Sequence, residues 1–258
     1  FHFTDYKNFT TELVLNMSTE EGNKYTQKKG KAICISCKNT IDYQTLCNDI
    51  ATRKDEELIA IQIQNNRKRE CVLAKEKDKK LFNNAKKYLR LKFNELKKMG
   101  FIPDQKILTD PRNPLNNYGV TEWNQFFSNR QLSVLTTLLK NIISMCAKIP
   151  DREYAKVISL YLGCMLCKHV DANCYGTVYD PSTSKISNAL TFRQPRLVFN
   201  HAELHPFIRV RGGLYNILDN IKKGIIFSAS NKIPVEISNN SVTNYYNTPN
   251  KFHLIINV

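Results

Sequence analysis

Two adjoining stretches near the middle of the chain repeat apolar residues at helical spacing, with a stop and a start signal between them. Leu132, Leu135, Leu138, Leu139, Ile142 and Ile143 recur every three or four positions between Asn129 and Cys146. Val157, Ile158, Tyr161, Leu162, Met165 and Leu166 do the same between Asp151 and Asp171. Pro150 and Asp151 form a turn and a helix start, so the spacing predicts an antiparallel helical pair. A third helix is expected from Lys75 to Met99. Leu81, Phe82, Ala85, Tyr88, Leu89, Phe93 and Leu96 would share its apolar face, and Gly100 would stop it. Basic residues fill the opposite face.

That basic face stands out. From Arg67 to Lys98 there are 13 Lys and Arg against 4 Asp and Glu, in a chain whose net charge is +15. Such a surplus suits a polyanion, with DNA, RNA or an anionic membrane surface as candidates. It equally suits the solvated side of a helix.

Around the helices the pattern shortens. Strands are expected at residues 11–15, 31–33 and 57–63, and again at 234–238 and 252–258, with a short helix at 214–223. A connection punctuated by Pro103, Pro111 and Pro114 follows the basic helix, and a polar loop spans 173–188. The last apolar run, Phe252 to Val258, has the composition of a strand buried in a parallel sheet. The expectation is a mixed α/β chain in three parts. Residues 1–72 would form a β-rich unit with a Cys-x-x-Cys knuckle, 73–210 a helical insertion serving target recognition, and 211–258 a partial Rossmann-like sheet edge.

With 258 residues and 42% hydrophobic content the chain can bury its own core. No apolar run approaches the ~20 residues that span a bilayer, and no signal peptide is legible. Eight cysteines outside a secretory context point to a reducing compartment, the cytoplasm. Neither a Gly-x-Gly-x-x-Gly nor a phosphate-binding loop is present. Cys34 and Cys37 can supply half of a tetrahedral zinc site. Cys47 and Cys71 lack partner spacing, so the other two ligands would come from outside this chain, or the pair is a bare turn. Cys164 and Cys167, inside an apolar helix, read as core packing.

Three blocks carry a resemblance. Lys29-Gly30-Lys31-Ala32-Ile33-Cys34-Ile35-Ser36-Cys37 is similar to a G-x-A-x-C-P-x-C-G segment. The stretch from Tyr118-Gly119-Val120-Thr121 to Arg130-Gln131-Leu132, followed by Leu135-Thr136-Thr137, is similar to Y-G-[LIM]-T-x-[WF]-x-[DQ]-L-F-x-x-R-Q-L with L-T-T. Tyr161-Leu162, Asn173, Phe192-Arg193-Gln194-Pro195 and Ala202-Glu203-Leu204-His205-Pro206-Phe207 follow a third block in order. Together they resemble the adenine-specific DNA methylases that contain a zinc ribbon. Ile35 and Lys38 depart from that pattern, standing where the family tends to have Pro and Gly.

The resemblance implies S-adenosylmethionine-dependent methylation of the adenine amino group. It places the family's cofactor motif, F-x-G-x-G, before this region and its catalytic D-P-P-Y after a strand of the Phe252–Val258 kind. Neither motif occurs in the sequence. The chain is therefore expected to be an internal part of such an enzyme, inactive alone, working with the missing methyltransferase halves as one chain or as separate subunits. Its setting would be restriction-modification or phage defence. Arg130, Gln131, Arg193, Gln194 and Arg196 are the residue types that read phosphates and base edges. The same residues suit an internal reading, Arg130 and Gln131 capping a helix and Arg193 pairing with a carboxylate. Trp123, Phe126 and Phe127 read as core, with a base-stacking platform as the alternative. A non-enzymatic nucleic-acid-binding remnant and a structural interaction module are the other functional readings.

Overall fold

The computed structural model describes residues 2–5, 10–12, 32–34, 37–52, 56–65, 68–110, 113–180, 185–191, 195–198 and 201–230. The chain mixes helices with short antiparallel strand pairs. In order they are β1 (His2–Asp5) with β2 (Thr10–Glu12), then β3 (Ala32–Ile33) with β4 (Thr40–Ile41). Helix α1 (Tyr43–Thr52) precedes β5 (Ala60–Asn65) and β6 (Lys68–Leu73), which pair in register from Ala60↔Leu73 to Asn65↔Lys68. The longer helices α2 (Glu76–Lys98), α3 (Asn129–Cys146) and α4 (Arg152–Asp171) follow. A small pair, β7 (Tyr179–Asp180) with β8 (Lys185–Ile186), and α5 (Leu214–Ala229) come last. The chain divides into two compact units, 1–221 and 222–258. Among the described residues no helix is long and apolar enough to cross a membrane.

In the first unit, α2 packs on α3 and α3 on α4. Asp151 caps α4, its carboxylate accepting from the Tyr154 amide at 3.0 Å. The core runs through Leu89 and Leu96 of α2, Leu132 and Leu135 of α3, and the segment between those helices. That segment is core rather than a surface connection. Ile102, Ile107, Leu115 and Val120 are all buried, and Ile107 donates its amide to the Thr121 carbonyl at 2.8 Å. A β-bridge between Lys106 and Glu122 fastens it. Phe126 and Phe127 are buried and Trp123 packs against them, as the core reading expects.

The apolar stripes are narrower than their spacing suggests. Leu81 and Tyr88 of α2 are exposed, and so is Val157 of α4. Cys164 and Cys167 are exposed as well, which corrects their reading as core. The reason is that α4 carries apolar residues around its circumference. Ala155 and Met165 are buried on one side, while no neighbour among the described residues covers Tyr154, Val157 and Leu160. Helix α5 runs past residue 223 and through Gly224. The strands expected at 234–238 and 252–258, and with them the Rossmann-like edge, lie outside the described residues.

Candidate functional site

The N-terminus of α3, the C-terminus of α4 and the residues from 201 to 213 meet in a buried polar knot. Ser128 starts α3. Its hydroxyl accepts from the Gln131 amide at 3.0 Å, and Gln131 returns the bond, its side-chain oxygen accepting from the Ser128 amide at 2.8 Å. This is a capping box, and it satisfies two amides that a helix start leaves without partners. Gln131 has an amide end as well, and that end donates to Asn173 Oδ1 at 3.3 Å.

Asn173 is the hub, with 1% of its surface exposed. Its Oδ1 also accepts from the Leu204 amide at 3.2 Å, and its Nδ2 approaches the Leu204 carbonyl at 3.4 Å and His169 Nε2 at 3.2 Å. One side-chain amide thus ties α3 to α4 and to the Glu203-Leu204 backbone. His169 completes the chain of bonds, with Nδ1 2.8 Å from the Gly212 carbonyl. A carbonyl only accepts, so the proton sits on Nδ1 and Nε2 takes the bond from Asn173. Burial lowers the His169 pKa, the bond to Gly212 opposing it more weakly, and the ring is neutral. Gly212 has φ +90°, and a Cβ there would lie 2.5 Å from the Ala172 Cβ. A side chain at 212 would therefore push the loop away from the end of α4.

The charged side of the knot faces α2. Arg130 Nε donates to Glu203 Oε1 at 2.6 Å, and its guanidinium lies 4.8 Å over the Phe82 ring. Ser128 Oγ lies 3.4 Å from the other Glu203 oxygen. Beside them, Tyr175 donates to Glu56 Oε1 at 3.2 Å and stands edge-on to His201, with ring centroids 4.6 Å apart. Burial, and to a smaller extent the positive Arg130, push His201 down to about 4. At neutral pH its 3.7 Å approach to Glu56 is therefore not an ion pair. The buried Lys86 reaches from α2 to the Glu56 carbonyl at 2.7 Å.

The residues singled out from the sequence fare differently. Gln131 is wholly buried and bonded at both ends of its amide, so it presents nothing to an external partner. Arg130 is partly exposed, at 28%, and held by Glu203. Arg196 is half-buried, its carbonyl packed where a Cβ on Gly176 would come to 3.0 Å. Arg193 and Gln194 lie outside the described residues. His169 and Glu203 complete the knot; Glu203 stands in the third block, but its partner Arg130 is 73 residues away, and the bond of His169 to Gly212 spans 43 residues, so neither pairing is marked by local spacing.

Cys34 and Cys37 sit on the turn joining β3 to β4, where Cys34 accepts the Lys38 amide at 2.9 Å and donates its own to Asn39 at 2.9 Å. Lys38 has φ +62°, a conformation that favours glycine. This is the position where the resembling pattern has Gly. Among the described residues no third Cys, His, Asp or Glu joins the two thiols as a metal cluster. Cys47 is engaged elsewhere, buried in α1 with its thiol 3.2 Å from the Asn117 carbonyl. It also packs on Gly119 (φ +71°), whose added Cβ would come 3.4 Å from the Cys47 Cβ. Among the described residues the two thiols on this turn stand without further metal-ligating side chains grouped around them. Cys174 is 1% exposed, and burial pushes its thiol up to about 12, which makes it inert.

No family model, no curated protein and no solved structure matches the chain.

Proposed function

We propose that the chain is the DNA-recognition and supporting part of an adenine-specific DNA methyltransferase of the zinc-ribbon type. One observation carries this reading. The second and third blocks of the resemblance are far apart in sequence, yet their Arg130, Gln131, Asn173, Glu203 and Leu204 bond to one another in the knot. A chance likeness between separate stretches gives no reason for those residues to meet. The positive φ at Lys38 is a second agreement, at the position where the family tends to have Gly.

In this reading the chain does not carry out the transfer by itself. Methylating an adenine amino group requires the base to be flipped out and held against the methyl donor. The motifs that do this in the family are absent from this sequence. S-adenosylmethionine would supply the methyl group from a site built by the missing halves. The knot's part is to hold the segment around 201–213 rigidly against α3 and α4, so that the partly exposed Arg130, fixed by Glu203, keeps its position next to bound DNA. The Cys34-Cys37 turn would take zinc with two ligands contributed from outside this chain.

The test is methyl transfer from labelled S-adenosylmethionine to unmodified duplex DNA. The chain is assayed alone, then with polypeptides bearing F-x-G-x-G and D-P-P-Y. Transfer only in the combination supports the proposal. Transfer by the chain alone would overturn the claim that it is incomplete. DNA binding without transfer in any combination would favour a non-enzymatic nucleic-acid-binding protein.

A further inference from the structure

We propose that the solvent face of α2 is a docking surface for the backbone of duplex DNA. This deepens the methyltransferase reading and takes the identity of the polyanion from it. Of the residues of α2, nine are Lys or Arg and three are Asp or Glu. Four of the cations are engaged within the fold. Lys79 pairs with Glu57 at 2.9 Å, Lys92 with Glu95 at 2.7 Å and Lys97 with Asp104 at 3.5 Å. Lys86 is buried against Glu56 and the Phe82 ring. The remaining five, Lys77, Lys80, Lys87, Arg90 and Lys98, have no carboxylate partner among the described residues.

At about 100° per residue these five fall within an arc of roughly 140°, on the side opposite the buried Phe82, Leu89 and Leu96. Asn83, Asn84 and Asn94 share that arc, and asparagine donates to phosphate oxygens. Two acids share it: Glu76 at the helix start, where a negative charge complements the helix dipole, and Glu95 at the arc's edge, paired with Lys92. The stripe is about 32 Å long from Lys77 to Lys98.

A merely solvated helix face intersperses both signs. Here Lys77 and Lys80, then Lys87 and Arg90, are like-charged neighbours three apart, which is unfavourable to the helix in isolation. A polyanion lying along the stripe converts that repulsion into binding and releases condensed counterions. Two features favour duplex DNA over other polyanions. A helix about 10–12 Å across fits the major groove of B-DNA, about 12 Å wide, but not the deep, narrow groove of A-form RNA. The arc also lacks the row of aromatics on which single strands stack.

The experiment is a salt titration of binding to a labelled duplex, by fluorescence anisotropy on the full chain. Two triple variants remove the same net charge. Lys80→Gln/Lys87→Gln/Arg90→Gln strips the stripe, and Lys79→Gln/Lys92→Gln/Lys97→Gln strips cations already paired. Wild type is expected to give a slope of log K against log salt of about −4 to −5 for five phosphates. The stripe variant should flatten it to about −2, with an affinity loss of about 100-fold at low salt. The paired-cation variant should lose less than about 3-fold. Equal losses in both variants, an unchanged stripe variant, or tighter binding to duplex RNA or to anionic phosphatidylglycerol vesicles would each overturn the proposal. So would an absence of binding to duplex DNA. Methyl transfer by the reconstituted enzyme separates the two ideas. Transfer with normal DNA binding by the stripe variant sinks the α2 surface alone. Stripe-dependent binding without transfer in any combination leaves the surface and sinks the enzymatic reading.

Discussion

The knot at the start of α3 and the outer face of α2 are built from similar side chains and treat them in opposite ways. In the knot Arg130, Gln131 and Asn173 are tied to partners inside the fold, and Asn173 alone makes four contacts of 3.2–3.4 Å. On α2, Lys80, Asn83, Lys87 and Arg90 face solvent. The difference lies in what each region can tolerate. A buried polar group costs free energy unless each of its bonds is made. An exposed lysine loses little without a partner and is left available to one. Residue type by itself therefore says little about whether an arginine or an amide reads a ligand or braces the fold.

If this contrast is right, the largest effect comes from the hub. Replacing Asn173 with Leu keeps the branched outline and the number of side-chain heavy atoms but strands the Gln131 amide, His169 Nε2 and the Leu204 backbone in a dry site. We expect a loss of about 4 kcal/mol in unfolding free energy by denaturant titration. A loss under about 1 kcal/mol would mean that water or rearranged partners replace the amide, and the knot would not be a cooperative unit.

Acid should attack the same region. Both His169 and His201 have folded-state pKa values lowered by burial, His201 to about 4. The unfolded chain then binds more protons than the folded one below the ordinary histidine value of about 6.5. Their contribution is fully present above about pH 6.5 and is lost as pH falls toward 4, by up to about 3 kcal/mol for His201, with His169 acting in the same sense. Melting temperatures across that window should fall, and His201→Gln should flatten the decline. An unchanged decline in the variant would place the acid sensitivity elsewhere.

Arg130 stands between the two regimes. Its ion pair with Glu203 is partly exposed, at 28% and 15% for the two side chains. We expect Arg130→Ala to cost about 2 kcal/mol, between the values of open and buried pairs. A double-mutant cycle with Glu203→Gln separates the pair from the packing of the guanidinium on Phe82.

Much of the helical frame is legible in the sequence. The spacing gives α3 to the residue at both ends and α2 and α4 to within a residue, because long apolar periodicity and the Asp151 start are local signals. Two elements escape the pattern reading. Helix α1 is short, although Tyr43, Leu46, Cys47 and Ile50 recur in it at helical spacing after Asp42, which accepts from the Thr45 amide at 3.0 Å. Strand β6 opens with Lys68, Arg69 and Glu70, whose charges mask its alternation. The candidate site is half legible. Arg130 and Gln131 stand out by motif, but their depth depends on Glu203 and Asn173, and pairings over such separations leave no periodic trace. The burial of the Pro-punctuated segment between α2 and α3 is equally non-local, resting on the Leu115, Val120 and Phe126 side chains meeting α2 and α3.

The smallest effect on stability belongs to the outer face of α2. Lys80→Gln/Lys87→Gln/Arg90→Gln removes three charges that have no partner among the described residues, and Gln is about as good a helix former as Lys or Arg. The variant should unfold within about 0.5 kcal/mol of wild type, or slightly later, since like-charge repulsion along the stripe is relieved. A destabilisation above about 1 kcal/mol would show that these side chains brace the fold as Arg130 does. The two regions would then differ in degree of exposure and not in kind, and any loss of DNA affinity in the variant would have to be read through its loss of structure. Near-neutral stability leaves the charge free to be assigned to a partner.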